Sequence, residues 1–276
     1  MMNRKTALIT GAAGDIGSEV ARRLDDMGYK LILIDIDQEQ LDKLSQRLRN
    51  STAMPVDLTD RNALSLLQTQ ITDEYGHIDL AFINAGVVCV GDMLELDESD
   101  IDLQLELNLR SAIHLIKACA NNMAAHGSGH IVSTVSMGGI VALKGSATYS
   151  ASKFGLRGFL SAIRDELKVK GVKVSGIYPS GVDTQMLRYE AQHGGSPLNF
   201  VGTPQPVTDV GDAVIRAMKT KSLEVYVPYT ESLSARLISF FPWTVSYMYP
   251  ALEWIGKRGL NKYLNTHKIN GGSIHE

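Results

Sequence analysis

The sequence predicts an α/β fold, in which a doubly wound parallel sheet carries helices on both faces and is followed by a C-terminal helical extension. Two patterns predict the sheet. Short apolar runs alternate with longer amphipathic segments, as in strands joined by right-handed crossover helices. The strand runs are apolar throughout, as expected when both faces of a sheet are covered. The chain has 276 residues, 44% of them hydrophobic, which suffices for one large core.

The elements alternate from the N-terminus onward. The predicted strands are residues 7–9, 31–34, 53–56, 80–84, 130–134, 173–178 and 223–227. The predicted helices are residues 18–27, 38–49, 100–125 and 148–170. Residues 185–206 are rich in Gly and Pro and predict a loop or lid. Residues 231–265 form an apolar, aromatic extension that Pro242 and Pro250 divide into short helices, and the polar tail past Asn265 is expected to fray.

Composition excludes several classes of protein. The net charge of -3 gives no basic surface, so we expect no nucleic-acid partner. Cys89 and Cys119 lack metal-ligand spacing and are predicted to be free thiols in a reducing compartment. His114, His126, His130 and His193 show no paired spacing with cysteines or carboxylates, so no metal site is expected. The first apolar run is too short for a signal peptide, and none approaches the roughly 20 residues of a membrane span. We therefore expect a cytoplasmic protein, with a membrane contact through residues 233–255 left open.

A Gly-rich turn follows the first strand and precedes a helix. Glycines there let a phosphate approach the backbone, and the helix start directs N–H groups and its dipole at a pyrophosphate, as in a Rossmann-like site. An ordinary tight turn is the alternative. The carboxylate of Asp15 has a second interpretation, since it can cap the helix start. The candidate pyrophosphate-binding residues are Gly11, Asp15, Ile16 and Gly17.

A carboxylate ends the second strand. Asp35 lies eighteen positions after Gly17, where it can bind the adenosine ribose hydroxyls and repel a 2′-phosphate. Asp37 is a rival for this role, and a solvated loop acid is the bland alternative. Neither the Gly-rich turn nor residues 36–38 contain Arg or Lys to attract the phosphate. The sequence therefore favours NAD over NADP.

Tyr149 and Lys153 are four positions apart and so share one face of a predicted helix. A free tyrosine titrates near pKa ~10, and a nearby ammonium lowers that pKa towards a usable base. Ser136 can hydrogen-bond a substrate oxygen, with Ser133 as a rival. Asn108 can hold a water that relays the proton, or can simply bridge backbone groups. There is a simpler alternative for each residue taken alone: a helical Tyr is usually part of the core, and a Lys four positions later usually faces solvent.

These residues, with Asn84-Ala85-Gly86 and the Gly-rich turn, resemble the compact branch of the short-chain dehydrogenase/reductase family over about residues 4 to 230. The resemblance implies one dinucleotide-binding oxidoreductase domain, 1–276, in which residues 185–206 are the substrate loop. It implies a catalytic set of Ser136, Tyr149, Lys153 and Asn108. It further implies that NAD(P) is bound by Asp57, Leu58, Asn84, Ala85, Gly86, Tyr149, Lys153, Pro179, Val182 and Thr184, besides Asp35 and the turn.

The same resemblance implies interconversion of a secondary alcohol and a ketone or aldehyde, in a homodimer or homotetramer paired through the two long helices. Asp15 and Ser180 stand where the family usually has Gly. A non-catalytic NAD-binding scaffold is the alternative function. An epimerase or dehydratase of the longer-chain branch is a third, supported only by the spacing of Gly11, Gly14 and Gly17. The apolar extension either adds core, touches a membrane surface or lines an apolar pocket for a lipophilic steroid, retinoid or fatty substrate.

Overall fold

Seven parallel strands form one sheet in the computed structural model, which describes residues 4–267. The sheet order is β3-β2-β1-β4-β5-β6-β7. Because the order reverses between β1 and β4, their carboxyl ends border a crevice of the kind in which α/β proteins bind ligands. The strands are β1 Thr6–Thr10, β2 Lys30–Asp35, β3 Ser51–Pro55, β4 Leu80–Ile83, β5 Gly129–Thr134, β6 Val172–Pro179 and β7 Glu224–Val227.

Helices cover both faces, as the sequence predicts. Successive strand residues point to opposite faces, so Leu8 belongs to the core under α3, α5 and α6, whereas Ile9 belongs to the core under α1 and α8. The doubly wound α/β fold is thereby confirmed. The helices are α1 Asp15–Asp26, α2 Gln38–Ser45, α3 Arg61–Asp73, α4 Glu98–Leu105, α5 Ala112–Ala125, α6 Ala147–Lys168, α7 Gln185–Gln192, α8 Val207–Thr220, α9 Tyr229–Phe240 and α10 Val245–His267.

The helix predicted over residues 100–125 is interrupted. A π-helical turn, Glu106–Ser111, joins α4 to α5 and carries Asn108. The wider turn brings the Asn108 amide to the backbone of Val87, to which its Nδ2 donates and from which its Oδ1 accepts, both at 2.8 Å. Such turns are frequent at functional sites, and a 3.6-residue apolar repeat does not reveal them.

The loop predicted over residues 185–206 contains α7 and a 3₁₀ turn, Pro197–Phe200. The Thr184 side chain caps α7 by accepting the N–H of Leu187 at 3.2 Å. The glycines and prolines that predicted a loop lie after α7, and Gly194 there adopts the left-handed conformation at φ +83°. The prediction of a loop was therefore wrong for its first half.

The C-terminal extension consists of α9, a short 3₁₀ turn and α10. The predicted break at Pro250 is wrong, because Pro250 is the sixth residue of α10 and the helix continues through it, at the loss of one intrahelical hydrogen bond. The chain does turn at Pro242, after α9. The fraying expected past Asn265 concerns residues that lie largely outside the described part of the chain. Within residues 4–267, no helix has both the length and the apolar character that crossing a membrane would require.

One face of α10 packs against α7 and the 3₁₀ turn. Its buried residues Leu260, Tyr263 and Leu264 form a small core with Phe200 and Leu187. Two glycines on this face, Gly256 and Gly259, allow the close approach: a β-carbon on either would overlap a backbone carbonyl oxygen, of Pro197 or of Phe200 respectively. The extension is thus fastened to the segment that follows β6.

Candidate active site

A cavity of about 660 Å³ opens at the carboxyl edge of the sheet. Its wall combines the Gly-rich turn, the segments after β2 to β6, and the starts of α6 and α7. The sequence-predicted residues in this wall are Gly11, Asp15, Ile16, Asp35, Asp57, Leu58, Asn84, Ala85, Gly86, Ser136, Tyr149, Lys153, Pro179, Val182 and Thr184. Gly17 and Asn108 lie behind it, in contact with the wall residues Gly11 and Gly86.

The Gly-rich turn leaves room for a phosphate. Gly11 is left-handed at φ +61°, and a β-carbon there would stand 2.9 Å from the Cα of Ala85. A β-carbon on Gly17 would overlap the carbonyl oxygen of Gly11, so both glycines are required for close packing. The start of α1 at Gly14 has no side-chain cap, which leaves its N–H groups to an anion. These features fit the pyrophosphate of a dinucleotide.

Asp15 does not cap its own helix, so that interpretation was wrong. Its carboxylate instead accepts the backbone N–H of Gln185, the first residue of α7, at 2.7 Å. The first N–H groups of a helix lack intrahelical partners, and a carboxylate satisfies one of them. Asp15 therefore links the Gly-rich turn to α7.

The carboxylates after β2 and β3 occupy the other end of the cavity. Asp35 accepts the N–H of Ala13 at 2.9 Å, which ties the end of β2 to the Gly-rich turn. Its rival Asp37 caps α2 through the N–H of Gln40 at 3.0 Å. Asp57 accepts both the N–H and the hydroxyl of Thr59. All three carboxylates line the cavity, so this end is acidic.

The segment Asn84-Ala85-Gly86 crosses the floor of the cavity after β4. The hydroxyl of Thr10 accepts the N–H groups of Asn84 and Ala85 at 2.9 and 3.1 Å, and Thr134 donates to Asn84 Oδ1 at 2.9 Å. A β-carbon on Gly86 would stand 3.0 Å from the side-chain oxygen of Asn108 and 3.7 Å from Lys153 Nζ. The π-helical turn, α6 and the β4 end therefore meet here.

Ser136, Tyr149 and Lys153 converge at the middle of the cavity. Lys153 Nζ donates to the carbonyl of Thr134 at 3.0 Å and lies 5.5 Å from the centre of the Tyr149 ring. Ser136 Oγ accepts the N–H of Gly138 at 2.9 Å. Ser133, its rival, is fully buried and donates to the carbonyl of Ile83. A phenol, an ammonium and a hydroxyl thus share one cavity. These groups can transfer a proton to or from the oxygen of a bound molecule.

Burial controls the titration of this trio. It lowers the pKa of the Lys153 ammonium to about 8, because leaving water disfavours the charged form. For the same reason burial raises the pKa of Tyr149; the neighbouring Ser136 hydroxyl offsets part of this, and the charge of Glu190 adds to it. The pKa of Tyr149 is thus raised, where the sequence predicts that Lys153 lowers it.

The segment after β6 closes the cavity. Ser180, which stands where the family usually has Gly, donates its N–H to the carbonyl of Val227 at 2.8 Å, and its φ lies outside the left-handed region. Serine therefore costs no strain here. Val182 pairs with Gln205 in an isolated bridge. The hydroxyl of Tyr263 donates to Asp183 at 2.6 Å, so α10 holds this segment in place.

One titratable side chain in the wall was not predicted from the sequence. Glu190 on α7 is buried and accepts the amide N–H of Asn199 at 2.8 Å. Burial raises the pKa of its carboxyl to about 7, and the bond from Asn199 opposes this. Its signal in the sequence is an acid on the apolar face of α7, three positions after Leu187 and one before Ala191. Because a loop and not a helix was predicted over these residues, the signal was not recognised.

Comparison with known proteins identifies the class. The family model for short chain dehydrogenases matches residues 5–194, so the chain belongs to the short-chain dehydrogenase/reductase family and is an oxidoreductase. Ketoacyl reductase HetN of Nostoc sp. is 29% identical over 280 residues, which cover 98% of this chain and 96% of that protein. An uncharacterized oxidoreductase of Listeria innocua is 30% identical over 192 residues, which cover 67% of this chain and 77% of that protein.

Solved structures of similar fold support this assignment to the family. The bulky-bulky ketone specific alcohol dehydrogenase from Comamonas testosteroni has a TM-score of 0.72 at 26% identity, covering 86% of this chain and 93% of that one. A short-chain dehydrogenase from Streptomyces avermitilis shares the fold, with a TM-score of 0.77 at 21% identity over 91% of this chain and 98% of that one. Enzymes of this family bind NAD(P) and act on small alcohols or carbonyl compounds. The scaffold alternative is therefore set aside.

Proposed function

We propose that this enzyme interconverts a lipophilic secondary alcohol and the corresponding ketone or aldehyde, with NAD as its cofactor. The observation that supports this most directly is the convergence of Ser136, Tyr149 and Lys153 in a cavity that also contains the Gly-rich turn. A bound nicotinamide would supply or accept the hydride, and the protein must handle the proton.

In the proposed mechanism, Tyr149 exchanges that proton with the substrate oxygen through its hydroxyl. The Ser136 hydroxyl donates a hydrogen bond to the same oxygen and stabilises its developing charge. The Lys153 ammonium, fixed by the carbonyl of Thr134, favours the phenolate and can bind ribose hydroxyls. Both polar atoms of the Asn108 side chain bond to the backbone of Val87, so we assign this side chain to holding the segment after β4 in place. Any water that relays the proton would then bind to the surrounding backbone.

The charge of the cavity supports NAD over NADP. Asp35, Asp37 and Asp57 line the end where the adenosine ribose would lie, and they would repel a 2′-phosphate. Among the described residues, Lys153 is the one cation of the wall, and it is beside Tyr149 rather than at this end. An NADP site would instead need an Arg or Lys near Asp35.

Apolar side chains in the wall of the cavity support a lipophilic substrate. They come from α4, the π-helical turn, the loop before α6 and α7, and they are Leu103, Leu107, Leu143, Met186 and Leu187. No residue of the extension, within the described chain, belongs to the wall; the extension packs behind α7. The names of two similar proteins, a ketoacyl reductase and a dehydrogenase specific for bulky ketones, agree with a ketone bearing large apolar groups.

The expected homodimer or homotetramer and cytoplasmic location also remain proposals. Partly exposed apolar side chains on α4 and α6, among them Leu103 and Phe154, support pairing through these helices. Cys89 and Cys119 are free, which suits a reducing compartment. Light scattering on the purified enzyme would determine the number of subunits.

A substrate screen tests the proposed function. Steroid, retinoid and long-chain secondary alcohols, with short-chain and sugar alcohols as controls, would be offered with NAD and with NADP, and the absorbance of the reduced cofactor followed. We expect turnover of the apolar alcohols with NAD, and loss of that turnover in Tyr149→Phe. Preference for sugars, or for NADP, would contradict the proposal.

A further inference from the structure

The extension presents a large exposed apolar surface. We call it the α9–α10 patch and define it by Leu237, Phe240, Trp243, Tyr247, Trp254 and Ile255. These side chains are between 42% and 84% exposed, although each is large and apolar or aromatic. Scattered exposed apolar residues are ordinary, but these six fall between residues 237 and 255, and such a concentration marks an interaction surface.

The patch is an outward face and not an unfinished core. On α9, Leu237 and Phe240 are three positions apart, and on α10, Tyr247 and Trp254 are seven apart, so each pair shares one helix face. The opposite face of α10 is the one buried against Phe200 and α7. The packing needs of the helix are therefore met without the patch.

Cations flank the aromatic side chains. The Arg258 guanidinium stacks 3.5 Å above the ring of Trp254, and Lys262 follows one turn later on the same face. Within α9 and α10, Arg236, Lys257, Arg258 and Lys262 outnumber the carboxylates Glu231 and Glu253, of which Glu253 is paired with Lys257 at 3.4 Å. The extension is thus cationic, on a chain whose net charge is -3.

We propose that the α9–α10 patch docks the enzyme on an anionic phospholipid surface. Tryptophan and tyrosine favour the boundary between headgroups and acyl chains, apolar side chains reach just below it, and arginine and lysine pair with the phosphates. A second copy of this chain fits less well. A two-fold contact would bring the same cationic surface against itself, with only Glu231 and Glu253 to neutralise it.

Vesicle sedimentation tests the docking. The full chain would be mixed with vesicles of phosphatidylcholine alone, or of phosphatidylcholine with phosphatidylglycerol. We expect binding to the anionic vesicles only. The triple variant Leu237→Ser, Phe240→Ser, Trp243→Ser should lower the partition coefficient about 100-fold, since three inserted apolar side chains are lost. All three are exposed, so the unfolding midpoint should stay close to that of the wild type.

A matched triple variant controls for nonspecific binding of exposed apolar side chains to vesicles. Met27→Ser, Leu66→Ser, Val169→Ser removes three apolar side chains of similar exposure, one on α3 and two just after α1 and α6, and should bind as the wild type does. The double variant Arg258→Gln, Lys262→Gln should bind anionic vesicles about 20-fold more weakly.

Three results would overturn the proposal. One is that wild-type protein stays in the supernatant with both kinds of vesicle. Another is that the patch triple variant binds as strongly as the control triple variant. The third is that analytical ultracentrifugation shows a dimer that only the patch variant dissociates, without vesicle binding, which would make the patch a subunit interface.

Discussion

The carboxylate of Asp15, in the Gly-rich turn, accepts the backbone N–H of Gln185, 170 residues further along the chain. The bond joins the segment that suits a pyrophosphate to the helix that lines the proposed substrate pocket. The two ends of the cavity are therefore mechanically connected through a residue that replaces the usual glycine.

Asp15→Ala should loosen α7. It removes the only side-chain acceptor that the described residues offer to the Gln185 N–H, and an exposed bond of this kind contributes about 0.5–1 kcal/mol. Hydrogen exchange of residues 185–192 should become about two- to fivefold faster, measured by mass spectrometry. Asp15→Asn keeps an acceptor oxygen and should lie between the two. Equal exchange in all three proteins would contradict the link.

Tyr149→Phe should lower kcat by roughly 10²–10⁴-fold, because it removes the group that we propose exchanges the proton. Steady-state kinetics on the best substrate from the screen measure this. The variant loses only a hydroxyl, so its unfolding midpoint and its NADH fluorescence titration should match those of the wild type. Near-normal turnover would mean that another group handles the proton.

Asp35→Ser should narrow the preference for NAD over NADP by about tenfold, since it removes a charge from beside the 2′ position. The measurement is the ratio of kcat/KM for the two cofactors. Asp60→Ser is the matched control: it also removes a carboxylate, but one that caps α3 outside the cavity wall, and serine can still cap a helix. A wild type that prefers NADP would defeat the assignment.

Glu190 should make stability depend on pH. Its pKa is raised in the folded protein to about 7 from an ordinary 4.5, so folding favours the protonated carboxyl. The stability this contributes is full below pH 4.5 and is lost as the pH rises through 7, a change of about 3 kcal/mol at most. Glu190→Gln keeps an oxygen for Asn199 and should lose less stability than the wild type between pH 5 and 8.

Urea unfolding at a series of pH values measures this difference. Glu166→Gln, which neutralises an exposed acid on α6, serves as the control and should follow the wild type. A Glu190→Gln curve parallel to that of the wild type would show that the carboxyl is ionised in the folded state.

Local patterns predicted much of this enzyme. Alternating apolar runs and amphipathic segments gave the sheet and most of its flanking helices, and the four-residue spacing of Tyr149 and Lys153 placed both on one helix face. Their meeting with Ser136 came from resemblance to a family, not from spacing. Helices α3 and α8 were not predicted, although Asp60 provides a good cap for α3 by accepting the N–H groups of Asn62 and Ala63.

What escaped prediction depends on contacts between distant segments. The partner of Asp15 lies on α7, and no local signal in the Gly-rich turn points there. The helix is interrupted by the π-helical turn at Asn108, whose side chain accepts the N–H of Val87 on another segment. Proline commonly ends a helix, but α10 continues through Pro250 and is held further along by the packing of Leu260, Tyr263 and Leu264. Burial, which sets the pKa of Glu190, is a property of the folded chain alone.

The width of the proposed substrate pocket is set in part by residues outside it. Gly256 and Gly259 touch the carbonyls of Pro197 and Phe200, and α7 is packed against the same helix through Leu187, a residue of the cavity wall. An alanine at either glycine would force α10 outward and release α7 to follow. In this enzyme, a single methyl group that the substrate does not contact would therefore change the width of the pocket.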